Sequence, residues 1–125
     1  MRFALLASVV ALAVTPIAQP TPAGTLRAEI AAFNARNYAA AYTAYTARFK
    51  KTCPYATFRK HTAAERALAP GPVTVRVTGV KTTGARAVLA YRILLNGSVV
   101  ERVKGDTFVR IKGLWYDEVD SQTTC

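Results

Sequence analysis

Two carboxylates, Glu101 and Asp117, and one phenol, Tyr91, are the side chains of this chain best suited to acid–base chemistry. All three fall in a strand-rich stretch, residues 73–119, whose preferred register puts them on one sheet face. A buried carboxylate with a raised pKa beside a tyrosine can take up and return a proton, the chemistry of an isomerase or dehydratase. Other chemistries lack their residues. Ser98 lies in a turn, Ser121 in the tail, and the single histidine, His61, stands in a basic run between Lys60 and Thr62, so no nucleophile has a base beside it. One His and two Cys do not supply the four ligands of zinc, and no Gly-rich phosphate loop occurs, so neither a metal nor a cofactor is expected.

The elements that must position these residues are legible as four strands. They run over VTVRVTGV, ARAVLAYRILL, SVVERVKGDTFVRI and LWYDEV, separated by turn signals at Lys81-Thr-Thr-Gly84, Asn96-Gly97 and Lys112-Gly113. Alternation makes this a one-sided antiparallel sheet that needs a cover. Two registers fit the Asn96-Gly97 turn. A two-residue turn sets Arg92 opposite Glu101 but puts Leu89, Tyr91 and Ile93 on the face of Arg102, Lys104 and Asp106. A three-residue loop with a bulge at Gly97 pairs Ile93 with Val99, Tyr91 with Glu101, Leu89 with Val103 and Arg86 with Asp106. The second keeps one face mostly apolar and is preferred. It leaves Val88, Ala90, Leu94, Val100 and Phe108 among arginines on the opposite face.

Helical spacing begins at Thr25. Leu26, Ile30, Phe33 and Asn37 recur at i, i+4, i+7 and i+11, with Arg27, Glu29 and Arg36 pointing elsewhere. Asn37 suits the N-cap of a second helix, along which Tyr38, Tyr42, Tyr45 and Phe49 form a stripe. Cys53-Pro54 restarts the helix with Tyr55 and Phe58 inward, and Thr62-Ala-Ala-Glu65 has the form of a capping box, predicting a break near His61.

Ahead of these lies one Arg, an apolar run from Phe3 to Val14, and small residues: the layout of a secretory signal peptide over 1–18, with cleavage after Ala18 or Ala23. Residues 19–25 read as an extended leader and 26–125 as a single domain. The run is too short to span a bilayer, so no transmembrane anchor is expected. A secreted or periplasmic location follows, and with it a disulfide between the two cysteines, Cys53 and Cys125. The chain of 125 residues carries a formal charge of +10, from 17 Lys+Arg against 7 Asp+Glu. The basic residues are spread over every element, which argues against nucleic acid and for a solvated basic surface tolerant of anionic envelope polymers or headgroups.

The order of elements, with Phe33-Asn-Ala-Arg-Asn-Tyr38 before the second helix and Gly113-Leu-Trp115 near the end, resembles the NTF2-like (cystatin-like cone) superfamily, in particular its small exported bacterial members. The resemblance runs from Leu26 to Val119. It implies an α+β fold, N-terminal helices packed on a curved antiparallel sheet of about four strands, enclosing a conical pocket. It also implies a choice of functions, since that family holds isomerases and dehydratases beside modules without activity.

The expected function is an exported, non-catalytic binding module. Tyr38, Tyr42, Tyr91 and Trp115 would line its pocket, which would take a small apolar ligand or a protein partner, and the convex sheet face would serve a homodimer. The alternative is a small isomerase or dehydratase using Glu101 or Asp117 with Tyr91.

Overall fold

The computed structural model describes residues 14–118 and 125. Four helices precede four strands: α1 (Pro22–Asn34), α2 (Tyr38–Tyr42), α3 (Ala47–Thr52), α4 (Tyr55–Leu68), then β1 (Val73–Thr83), β2 (Arg86–Leu95), β3 (Ser98–Ile111) and β4 (Leu114–Asp117). The strands form one antiparallel sheet in sequence order, and the helices cover one face of it. The fold is therefore α+β, as composition and alternation predict.

Turn chemistry sets the sheet. Asn96 (φ 51°) and Gly97 (φ 79°) close a two-residue turn, as do Lys112 (φ 52°) and Gly113 (φ 82°), because positive φ at both central positions matches strand twist. The preferred three-residue loop is thus corrected, and so is the alternative pairing of Arg92 with Glu101. Leu95 faces Ser98 and Leu94 faces Val99, then Val100 bulges, so Glu101 lies opposite Ile93 and Val103 opposite Tyr91. Glu101 keeps the face expected of it by a different route. A second bulge sets Ala90 against Lys104 and Gly105 and brings Asp106 opposite Leu89, while Arg86 faces Val109. Asp106 therefore points to the covered face, not away from it with Arg86. Phe108 pairs with Ala87 and with Asp117, is fully buried, and leaves the convex face where it was expected.

Two clusters make the core. Leu26, Ala87, Leu89, Phe108 and Trp115 lock α1 onto the sheet, and Ala40, Ala41, Phe49, Cys53 and Phe58 with Tyr42 and Tyr45 hold the helices together. Asn34 ties the layers at their edge. Its amide donates to Val73 O (2.8 Å) and its Oδ1 accepts from Val73 N (2.9 Å).

The helical boundaries differ from expectation where tertiary bonds intervene. The tyrosine stripe breaks after Tyr42 because Asp117 N donates to Ala44 O (2.8 Å) and Thr46 N donates to Asp117 O (3.0 Å). Thr46 then caps α3 through Phe49 N (3.2 Å). By contrast, α4 runs through His61 without a break, its start fixed at Pro54 and its interior free of Gly and Pro. Residues 19–25 are not an extended leader throughout, since α1 begins at Pro22. Thr21 caps α1 (Gly24 N to Oγ1, 3.0 Å) with Pro22 in the first turn, Trp115 N donates to Gln19 O (2.9 Å), and the buried Thr25 hydroxyl donates to Trp115 O (2.8 Å). Ala18 and Ala23, the expected processing points, both lie in this bonded segment. The apolar run of the expected signal peptide lies outside the described residues except for Val14.

α1 ends in a Schellman turn: Arg36 N donates to Phe33 O (3.1 Å) and Asn37 N to Ala32 O (2.9 Å), with Arg36 in the left-handed region at φ 57°. Glycine adopts that conformation without the Cβ clash. Arg36→Gly is expected to stabilise the domain by about 1 kcal/mol in denaturant unfolding, and an unchanged or lower midpoint would contradict this.

Candidate functional site

α1, α4 and the covered face of β1–β3 enclose a cavity of about 660 Å³. Its walls are apolar, from Leu26, Ile30 and Phe33 on α1, Phe58 on α4, and Ile93 and Val103 on the sheet. Its floor is polar and acidic. Glu29 comes from the inward side of α1, Asp117 from β4, Tyr91 from β2, and Tyr45 from the segment that the β4 backbone clamps. The Tyr91 hydroxyl donates to Asp106 Oδ2 (2.8 Å), which the second bulge has turned inward. Glu65 on α4 and Glu101 on β3 stand at the rim.

Glu29 and Asp117 are 8% and 4% exposed. Burial holds both carboxyls well above the usual carboxylate range. The neighbouring charges of Glu29 and Asp106 add to that push on Asp117, while at Glu29 the push of Asp106 is opposed by hydrogen bonds with Asp117 and Tyr45. Two ionised carboxylates can only accept, so the hydrogen bond between Glu29 and Asp117 requires a proton on one of them. Burial, then the charges of nearby carboxylates, also pushes the Tyr45 and Tyr91 phenols up. Glu65 is raised by desolvation and by Glu101, with His61 opposing. Among the described residues two buried side-chain atoms have no hydrogen-bond partner, Glu29 Oε1 in the cavity and Arg66 Nε outside it.

The charge distribution is lopsided. Of the seven acidic residues of the chain, Glu29, Glu65, Glu101 and Asp117 line the cavity and Asp106 bonds to its wall, whereas none of the 17 Lys and Arg, among the described residues, lines it. Arg66, buried behind the wall, lies 6.0 Å from the Phe33 ring centroid and donates to Ala69 O (3.3 Å). Among the described residues no three of His, Cys, Asp and Glu are arranged to hold a metal ion.

Of the residues expected to act, Tyr91 and Asp117 meet in the floor and Glu101 stands at the rim. Tyr38, Tyr42 and Trp115 do not line the cavity. The Tyr42 hydroxyl donates to Cys53 O (2.6 Å) and its ring packs on Tyr55 and Phe58, and Trp115 belongs to the core between sheet and α1. The rings that do line it are Phe33, Tyr45, Phe58 and Tyr91. Glu29, Asp106, Tyr45 and Glu65 were not anticipated from the sequence. Glu29 had a visible signal: it sits three residues after Leu26 and four before Phe33, on the buried side of its helix. Asp106 had none, since its face depends on a bulge.

On the opposite, uncovered face Arg76 pairs with Arg92 and Arg92 with Arg102, three exposed guanidiniums in register across β1–β3, with Val88 exposed nearby. Val100, expected there, is carried by its bulge to the cavity lining instead. Among the described residues no helix is long and apolar enough to cross a membrane. The cysteines form a disulfide, Cys53 to Cys125, with Cα atoms 5.2 Å apart.

No family model matches the chain, and no curated protein matches it. A solved structure does: the solution structure of a SEC-C motif containing protein from Rhodopseudomonas palustris, with a TM-score of 0.60 and 16% identity over 79% of this chain and 76% of that one. The resemblance to the NTF2-like superfamily is corrected by this finding. The solved neighbour with this fold is a SEC-C motif containing protein. At that identity the likeness is one of fold.

Proposed function

We propose that this domain is a binding module whose cavity takes a small, largely apolar ligand outside the cytoplasm. The cavity carries the reading: about 660 Å³, of the size that small-molecule sites have, with apolar walls and a few convergent polar groups on its floor. The disulfide and the apolar run near the N-terminus support export. Trp115 lies outside the cavity, so calorimetry and thermal shift are better reporters than its fluorescence. Protein recovered from outside the cytoplasm, its N-terminal mass recorded, should bind members of a panel of fatty acids, sterols and aromatic compounds saturably. Val103→Trp, which fills the cavity from the sheet, should abolish binding with the far-UV spectrum unchanged. Absence of saturable binding across the panel, or binding that survives Val103→Trp, would refute the reading.

A second reading is favoured by the hydrogen-bonded carboxyl pair itself. Asp117 and Glu29, buried beside two phenols, share a proton, an arrangement able to serve an isomerase or dehydratase. Turnover of a bound carbonyl compound, abolished by Asp117→Asn, would establish it. Binding without turnover would leave the module reading in place.

A further inference from the structure

We propose that the cavity is built for a cation, an amphiphilic amine whose ammonium head lies against Glu29, Asp106 and Asp117 and whose apolar body fills the space between α1, α4 and the sheet. This rests on the cavity reading above and adds to it the chemistry of the ligand. Three independent observations point to it.

The first is the segregation of charge. A protein of net charge +10 has gathered five of its seven acidic residues around one cavity, and among the described residues no Lys, Arg or His lines that cavity. Such a site has a field opposite in sign to the rest of the molecule, and apolar walls strengthen it. An anionic ligand is disfavoured there, and a divalent metal does not find its ligand set.

The second is Glu29 Oε1. It is a buried acceptor with no partner, on a residue 8% exposed that lines the cavity. Leaving such an atom unmatched costs about 1–3 kcal/mol, more for a charged group. The remedy is a donor. Lys or Arg would be the usual one, and the fold offers neither, so the donor must enter from outside. An ammonium brings two or three N–H groups and a full charge, which makes hydrogen bonds to carboxylates roughly twice as strong as neutral ones.

The third is the ring content of the floor. Tyr45 and Tyr91 stand beside the carboxylates with Phe33 and Phe58 in the walls, and aromatic faces attract cations. The same rings and the aliphatic wall residues accept the ligand's body. The groups facing Glu29 are Tyr45 ahead of α3, Tyr91 on β2, Asp106 on β3 and Asp117 on β4, with Glu65 and Glu101 further out, and none is cationic. When the head enters, the proton held by the Glu29 and Asp117 pair leaves to solvent, so binding releases up to one proton and tightens as pH rises, until the amine itself deprotonates.

Three probes of one shape decide the matter: 2-phenylethylamine, 2-phenylethanol and 3-phenylpropionate, titrated by calorimetry into the full chain. The amine is expected to bind about tenfold or more tighter than the alcohol, which corresponds to about 1.4 kcal/mol, and the carboxylate more weakly than either. Amine affinity should rise from pH 5 to pH 8, and its heat should depend on the ionisation enthalpy of the buffer, showing proton release. Glu29→Gln, and separately Asp117→Asn, should bring the amine down to the alcohol, with unchanged far-UV spectra. Alcohol or carboxylate binding as tightly as the amine would overturn the cation while leaving the cavity reading standing. Failure of all three to bind saturably would overturn the cation, and failure of the wider apolar panel as well would overturn the cavity.

Discussion

Cys53→Ala and Cys125→Ala should each lower the unfolding free energy by about 4 kcal/mol, and the double substitution should lower it no further. The bond joins residues 72 apart in sequence, so the loop it closes in the unfolded chain takes in all of α4 and β1–β4. Closing a loop of that length removes a large part of the conformational freedom of the unfolded ensemble, which is where the stabilisation originates. Cys53 is fully buried against Phe49 and Phe58, and Cys125 packs on the same cluster. Alanine is preferable to serine at 53, because a serine hydroxyl would there be buried among apolar side chains. Urea unfolding of the three variants and of the reduced wild type gives the test. The shared-link account fails if the single losses differ by more than about the 0.5 kcal/mol within which independent effects usually agree, or if thiol labelling of the denatured, unreduced protein finds two free cysteines.

That bond was legible because two cysteines allow one pairing, and the four strands were legible because alternation and turn residues agree. What could not be read was which way single residues face after an irregularity. Val100 and the Lys104-Gly105 step each add a residue to β3, and each addition exchanges the two faces downstream. Glu101 came out on the covered face although its predicted partner was wrong, whereas Asp106 and Phe108 came out on the face opposite to the one expected. Gly105 within a strand is itself a bulge signal. The floor of the cavity inherits this difficulty, since Asp106 enters it only through the bulge.

Tyr45 shows a second limit. Helical spacing makes it one of a continuous stripe with Tyr42 and Phe49, yet the backbone leaves the helix there to bond Asp117. Local propensity favours continuation, and two hydrogen bonds to β4 from residues 44 and 46 decide against it. The same two bonds place the Tyr45 ring beside the carboxylates. At the N-terminus the reverse holds: Thr21, Pro22 and the later turn of α1 carry ordinary helix-start signals. They were masked by the resemblance of the preceding residues to a leader.

The buried carboxyls should make this domain lose stability as pH rises, opposite to the trend set by salt-bridged acids. Glu29 and Asp117 have folded-state pKa values held above the ordinary range near 4 by burial first, and Glu65 shares the direction. Between the unfolded and folded pKa values the folded state binds more protons, so the unfolding free energy falls with pH through that window. Their contribution is fully present at pH 4 and below and is lost as pH climbs through the folded values. The Arg48 to Glu118 pair (3.1 Å) is solvated on the arginine side and weak. Glu29→Gln keeps the shape and removes the ionisable group. It is expected to be about 1–3 kcal/mol more stable than wild type at pH 8, the scale of one buried polar group's desolvation, because the amide carries no charge and its NH2 can donate where the carboxylate only accepts, and to gain nothing at pH 4. Urea unfolding at pH 4, 6 and 8 measures both curves. A wild type that grows more stable from pH 4 to 8, or a Glu29→Gln variant weakened equally at every pH, would show that the pair is compensated within the fold. A gain confined to high pH would instead mean that the cavity holds its acid pair at a cost in folding.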